Sequence, residues 1–454
     1  MGPAHVYAMI PDLDDSILDL ALEEAARLGA DAAECAVSQS QSLGVDVRMR
    51  ALENLEREES KSLSVRVFFG RRQAGASGTN LSRSAVQELV QRAAAAAKLA
   101  PEDPYAGLLD PALLAQRLPD LDLYDPTELD APALEALALA AEDVALGIPG
   151  VTNSAGSGAS WSFGAFAYRT STGFSGASRG SSFALGLSVL AERDGLKERD
   201  YESRSARWRE ELPGAAEIGR TAGERAVARL GARKLESRKA PVIFENRIAG
   251  RLLSPLFGAI SGPAVARGVS FLKDKHEAQV FAPGFEIWSD PLKPRGAASR
   301  AFDGEGCATA TRALIADGLL TGWLLNAASA RQLGLSPSGD ATYGHGGPPG
   351  VGTANLLVKP GPQDLPGLMA DIGEGLLVCE TFSPSLNANS GDFSVGVAGF
   401  WIENGAKAYP VNEITIAGNL VDMYRRVIPG ADLDRRGALE APSLLIDDVT
   451  IAGR

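Results

Sequence analysis

The segments Leu43-Gly44-Val45-Asp46-Val47-Arg48-Met49-Arg50 and Leu63-Ser64-Val65-Arg66-Val67-Phe68-Phe69 decide the fold class, because apolar residues hold every second position in both. A β-strand sends successive side chains to opposite faces, so the alternation predicts two half-buried strands. The acidic stretch between them can turn the chain or continue the hairpin. Upstream the period becomes helical. Ile17, Leu18, Ala21, Leu22, Ala25 and Leu28 recur at helical spacing within 14–29, with Asp14 or Asp15 as cap and Gly29 at the C′ position. Downstream, a helix begins near Ser84, with Gln87 as its capping-box partner, and runs through the alanines to Ala100 before Pro101 and Pro104 close it. Helix, two strands and helix make an α+β unit with its helices on one face of an antiparallel sheet.

The stretch 101–130, rich in Pro, Asp and Leu, reads as a connector over the surface. Pro132 and Gly147 bracket the next helix. Residues 151–208 are full of Ser and Gly but carry Trp161, Phe163, Phe166, Tyr168, Phe174 and Phe183. That favours a meander of strands joined by glycine turns over a flexible linker. A helix over 214–231 leads to a charged stretch at 233–239, where a domain boundary is expected. The resulting N-terminal α+β domain is 1–235, and 240–454 is a C-terminal β-rich mixed domain. Asp317-Gly318 and Asn404-Gly405 each sit between strand-like runs and predict hairpins. The glycine- and proline-rich stretch 334–352 shows no periodicity. A loop of that length inside a domain is usually functional or disordered.

A chain of 454 residues exceeds one ordinary core, so two or more domains are expected. The net charge of −13, with no basic run, argues against a broad nucleic-acid footprint. Cys35, Cys307 and Cys379 are odd in number and far apart, which fits a reducing compartment and no disulfide scaffold. No signal-like segment and no run of 18 apolar residues occurs, so a soluble cytoplasmic protein is expected.

Few residues here carry evident chemistry. His276-Glu277 resembles the start of a zincin motif, but the residue four positions after His276 is Val280, so one helical face cannot offer two imidazoles. His345, in Tyr343-Gly344-His345-Gly346-Gly347, reads either as a side chain presented to substrate or metal on a mobile lid, or as an exposed turn residue. Neither Cys307 nor Cys379 has a neighbouring His or Lys–Arg pair to activate it, and core thiols are common. Asp303, Glu305 and Asp392 lie in glycine-flanked turns. They could form an acid/base pair or bind a hard cation if the fold joins them, or they build turns by bonding their own backbone. No phosphate-binding glycine pattern is present.

Six segments occur in the same order as in a known family: Ser270–Leu272, Phe302–Gly306, Ser329–Gly334, Gly391–Ser394, Gly399–Gly405 and Ile416–Leu420. On these the chain resembles the PmbA (TldE) branch of the TldD/PmbA metallopeptidases, most clearly from about residue 240 onward. The resemblance implies a cytoplasmic heterodimer that cleaves unfolded or extended peptides, with zinc held by the TldD-like partner. In that metal-binding branch a Leu-Leu pair is followed by His-Glu-x-x-x-His. Here Leu252-Leu253 is followed by Ser254 and Pro255, with Ala259 at the second histidine position, and no cysteine follows Cys379. Such side chains cannot hold zinc or deprotonate a metal-bound water. The resemblance therefore implies a metal-free subunit with no catalytic residue and no cofactor of its own, which encloses the cavity and helps bind substrate. A homodimer forms a possible alternative when the partner is absent. Two rival functions stand beside this: a self-sufficient metal-dependent peptidase built on His276 or His345, and a non-enzymatic regulator of DNA gyrase.

Overall fold

Met49 and Arg50 both take left-handed backbone conformations, with φ of 50° and 65°, and make the tight turn of a long hairpin. The computed structural model describes residues 16–453. Its first half begins with helix α1 (Ser16–Arg27), then β1 (Ala32–Arg48), β2 (Ala51–Phe69), β3 (Arg72–Gly78) and helix α2 (Arg83–Leu99). Helix α3 (Ala131–Leu146), β4 (Val151–Thr170), β5 (Ser175–Arg193), β6 (Leu196–Ala206) and helix α4 (Ala215–Ala228) follow. The six strands form one antiparallel sheet in the order β3-β2-β1-β4-β5-β6.

All four helices lie on one face of this sheet, as the alternation predicts. Helices α1 and α2 bury Leu18, Ala21, Val86 and Val90 against Cys35, Val37, Leu63, Val65 and Val67. Helices α3 and α4 bury Leu134, Ala138, Ile218 and Ala222 against Val45, Val47, Trp161, Phe183 and Leu185. Asp14 and Asp15, the expected caps of α1, lie outside the described residues. Gly29 stands just beyond α1 at φ 81°, as a C′ glycine should. Helix α2 starts at Arg83 with Ser82 in the cap position, ahead of the expected Ser84–Gln87 box, and Ser82 makes no side-chain cap bond.

The acidic stretch 51–62 continues the hairpin as strand, one of the two readings its sequence left open. Two expectations change. Met49 belongs to the turn instead of the buried row. The connector 101–130 does not simply cross the surface: Leu109 and Leu114 enter a core cluster with Phe174, Phe302 and Cys307, and Leu121 is also buried. Its leucines, read as loop residues for want of periodicity, are anchors spaced along an irregular strap.

The second half is β-rich and mixed. In chain order it holds β7 (Arg238–Phe244), α5 (Ala249–Ala259), α6 (Gly262–Ala266), β8 (Ile287–Asp290), β9 (Arg312–Ala316), β10 (Leu319–Leu320) and α7 (Ala327–Leu333). Then come β11 (Ala341–Thr342), β12 (Gly350–Val351), β13 (Asn355–Val358), α8 (Leu365–Ile372), β14 (Gly375–Leu386) and β15 (Asp392–Glu403). The chain ends with β16 (Ala406–Asn419), α9 (Leu420–Tyr424), β17 (Val427–Pro429), β18 (Leu439–Glu440) and β19 (Leu444–Ala452). A six-stranded sheet runs β16-β15-β14-β7-β19-β17, and β16 also pairs with β19, so most of it closes on itself. A five-stranded sheet β10-β9-β8-β13-β18 packs on the same core as α5. Both expected hairpins form: Asp317-Gly318 joins β9 to β10 and Asn404-Gly405 joins β15 to β16, each pair at positive φ.

The halves are joined by buried charge. Asp200 on β6 accepts from Arg247, which leads into α5, through Nη1 at 2.7 Å and Nη2 at 3.0 Å. Arg229, just past α4, pairs with Glu380 on β14. Glu202 receives both Arg225 of the first half and Arg436 of the second. Among the described residues no helix is long and apolar enough to cross a membrane.

Candidate functional site

The face of the N-terminal sheet turned away from α1–α4 is built from small side chains. Ser42, Ser162 and Ser182 stand abreast on β1, β4 and β5, followed by Ser40, Gly164 and Gly180, then Ser38, Phe166 and Ser178. Toward β6 the row Gly158, Gly186 and Ser203 continues the pattern. Serine and glycine here reflect the sequence of 151–208, where the aromatics Trp161 and Phe183 take the opposite, helix-covered face. The result is a trough open to solvent. One part, a cavity of about 480 Å³, is walled by Leu123, Arg207 and Ser299. Another, of about 320 Å³, is walled by Arg204, Arg247 and Arg436.

At the β3 end of this face the second half closes over the sheet. Arg66 and Glu34, at positions that alternation alone would leave in water, form a buried pair at 2.9 Å. The Tyr168 hydroxyl donates to the other Glu34 oxygen at 2.7 Å. Tyr343 lies edge-on to Phe166 and Tyr168, and its hydroxyl is 2.9 Å from that of Ser64. Tyr343 belongs to 334–352, which holds the short β11–β12 hairpin instead of being structureless. Burial of its aromatic ring against another domain's strand orders the segment, and no local periodicity could reveal that. The sequence marks Tyr168 only as a strand aromatic and Tyr343 only as a neighbour of His345, and gives Glu34 no mark; the one signal at Arg66 is its place beside Phe68 on the outward side of a strand.

Asp303 and Glu305 sit in the same buried layer. Asp303 accepts from the backbone N–H groups of Glu305, Cys307 and Ala341, so the turn-building reading holds for it. Glu305 accepts from the Ala327 N–H at 2.7 Å, at the start of α7. Burial raises Asp303 to about 6; burial and then the Asp303 charge raise Glu305 to about 7. Asp392 does not join them: it is exposed on β15, bonded to Ser390 and Asn419. His276 is exposed, 5.6 Å from the Trp323 ring, and His345 is an exposed turn residue at φ 47° beside Tyr343. All three cysteines are buried. Burial, then Asp303 and Glu305, pushes the Cys307 thiol up to about 12, so it stays protonated and unreactive near neutral pH.

The raised carboxyls set a pH dependence. Each keeps its proton in the native state where the unfolded chain, with values of 3.8 and 4.5, has released it. Their contribution to stability is therefore complete below those values and is lost as pH rises through about 6 and 7. Urea unfolding near pH 5 and near pH 8 should show Glu305→Gln gaining on the parent protein at the higher pH, by roughly 3 kcal/mol at most. A gap between variant and parent that stays constant with pH would refute this.

Helix α5 turns Leu252, Leu253, Leu256 and Ala259 into the core and leaves Ser254 exposed. Pro255 lies inside the helix, where it cannot donate to the carbonyl four residues back. The Tyr424 hydroxyl donates to the Leu252 carbonyl and Ser270 Oγ to that of Ala259. Models of the three successive PmbA/TldA metallopeptidase domains match 33–97 (domain 1), 124–230 (central domain) and 237–453 (C-terminal domain). The chain belongs to the PmbA/TldD metallopeptidase family. It is 37% identical to the metalloprotease PmbA of Escherichia coli O157:H7 over 443 residues, 96% of each chain. Its fold matches that of a candidate modulator of DNA gyrase from Bacteroides thetaiotaomicron with a TM-score of 0.90 at 26% identity, covering 98% of this chain and 100% of that one. TldE from Thermococcus kodakarensis shares the fold with a TM-score of 0.86 at 20% identity, over 96% and 100% of the two chains.

A family of metallopeptidases raises the question of whether these residues fit a metal ion. They do not fit one at α5: Ser254, Pro255 and Ala259 present a hydroxyl, a pyrrolidine ring and a methyl group, with no imidazole, thiolate or carboxylate among them. Among the described residues no three His, Cys, Asp or Glu side chains are grouped to hold one elsewhere.

Proposed function

We propose that this chain is the non-catalytic subunit of a heterodimeric metallopeptidase that cleaves unfolded or extended peptides. Zinc is held by a TldD-like partner, and this subunit contributes neither a catalytic residue nor a metal ligand. The observation that carries the reading is α5, a helix in the metallopeptidase C-terminal domain whose side chains at 254, 255 and 259 are no ligands. Its two domains, 1–235 and 240–454, help enclose the cavity around the partner's metal. The serine and glycine trough supports a part in substrate binding, since its short side chains leave room for an extended chain and its hydroxyls can donate to or accept from that chain's backbone. Three buried, unpaired cysteines agree with a cytoplasmic location.

Co-expression with a homologue bearing His-Glu-x-x-x-His tests the proposal. The two chains should copurify, zinc should be found in the complex and not in this chain alone, and peptidase activity should require both. Stoichiometric zinc in the isolated chain, with activity that a chelator abolishes, would instead select a self-sufficient peptidase.

A further inference from the structure

Arg207 stands just past β6 and reaches the part of the trough that Leu123 and Ser299 also wall. Glycine makes its place: a Cβ on Gly180 would come within 2.9 Å of Nη1, so the guanidinium rests on bare strand. Nη1 donates to the Ser181 carbonyl at 3.1 Å, Nη2 to that of Ala297 at 2.6 Å and Nε to that of Gly296 at 3.5 Å. Both halves of the chain therefore fix its position. Each terminal nitrogen carries a second N–H, and among the described residues no further hydrogen bond engages it.

The three carbonyls orient this charge without neutralising it. Elsewhere in the trough Arg204, Arg247 and Arg436 are each matched by a carboxylate. Arg207 has no carboxylate partner among the described residues, and burial alone holds its pKa below the usual arginine range. A guanidinium keeps its proton all the same, so an unbalanced cation faces the cavity.

The remaining walls indicate what would balance it. In a chain with a net charge of −13, none of the described residues lining this cavity is acidic. Its other arginine, Arg179, is occupied with the Tyr124 ring, 4.4 Å from the centroid. Gly164 opens a shelf beside the guanidinium, since a Cβ there would meet nothing within 4 Å. Around it the hydroxyls of Ser42, Ser162, Ser178 and Ser182 bond to no other described residue. Phe166 adds an apolar surface on the side of Tyr343. One positive charge matches a carboxylate, whereas the second charge of a phosphate would stay unpaired. A cavity of about 480 Å³ holds far more than that group alone, so the carboxylate belongs to a longer molecule with polar and apolar parts.

We propose that Arg207 binds a carboxylate of a peptide lying in the trough, either its C-terminus or an acidic side chain, with the neighbouring residues over Gly164 and Gly180. That the ligand is a peptide rests on the function proposed above; the preference for an anion rests on Arg207.

Calorimetric titration of the full chain tests this with three short N-acetylated peptides of alanine and phenylalanine: a free acid, its C-terminal amide, and that amide with glutamate in place of one alanine. The free acid, the glutamate peptide or both should bind about tenfold more tightly than the plain amide. Which of them gains separates a C-terminal from a side-chain carboxylate. Arg207→Gln should remove the advantage. Gly164→Val, whose side chain starts in open space and leaves the carbonyl contacts of Arg207 in place, should remove it too by filling the shelf, and serves if Arg207→Gln fails to fold. Equal affinity for all three peptides, no binding of any, or a preference that persists in either folded variant would overturn the proposal. Copurification and joint activity with a metal-binding homologue are separate readouts. An intact complex without the preference would sink this inference alone, and the preference without a complex would sink only the heterodimer reading.

Discussion

Asp200→Ala is expected to lower stability by about 3–5 kcal/mol. Both side chains of the Asp200–Arg247 pair are 2% exposed, and the guanidinium meets the carboxylate through two parallel bonds. Removing the aspartate leaves Arg247 buried with Glu245 as its one remaining carboxylate among the described residues, and takes a partner from Arg229 as well. With both side chains almost wholly buried, hydration replaces the lost attraction only in part. Asp200→Asn keeps the shape and one acceptor and should cost clearly less. Guanidinium unfolding of the three proteins checks the order. Equal stability of parent and Asp200→Ala would mean that the pair contributes nothing to holding the halves together.

Gly75→Ala should be nearly as damaging, at about 3 kcal/mol, for a steric reason. A Cβ on Gly75 would lie 1.8 Å from the Gly346 carbonyl oxygen and 2.6 Å from that of Val65. No side chain stands between β3 and the 344–347 turn; backbone rests on backbone, and a Cβ on Gly346 would itself come within 2.9 Å of the Ala76 carbonyl oxygen. One methyl group therefore has to lift the turn or displace the strand. Lifting the turn would drag Tyr343 away from Ser64, Phe166 and Tyr168 and unseal the buried layer that holds Glu34 and Glu305. Hydrogen exchange should report this directly, with faster exchange over 341–351 in the variant. Unchanged exchange there, together with unchanged stability, would show that the close approach is not maintained in solution.

Local chemistry made part of this molecule legible in its sequence. The helical spacing of Ile17, Leu18, Ala21 and Ala25 gave α1, and Asn404-Gly405 gave its hairpin, because a helix stripe and a left-handed turn depend on a few adjacent residues. The length of β2 did not show, since residues 51–61 are exposed on both faces and so carry no alternation. Nor did the fate of Arg66, Asp303 and Glu305. Their burial comes from contact between segments far apart in the chain, as where Tyr343 meets Ser64, and a strand read alone gives its outward positions to solvent. The same holds for Leu109 and Leu114, whose purpose appears only where Cys307 and Phe302 meet them. At α5 the sequence spoke more clearly than the fold. Ser254, Pro255 and Ala259 exclude a ligand set by their side-chain chemistry, whatever backbone carries them.

That helix also sets how much chemistry a single substitution could add. Zinc affinity arises from several ligands acting together, so a lone imidazole introduced at position 254 or 259 would grip the ion hardly better than any stray surface histidine. Pro255 adds a backbone constraint, because a proline inside a helix withholds one donor. Stepwise changes at this helix would therefore gain nothing in chelation until several stood together, and the first of them would carry no advantage of its own.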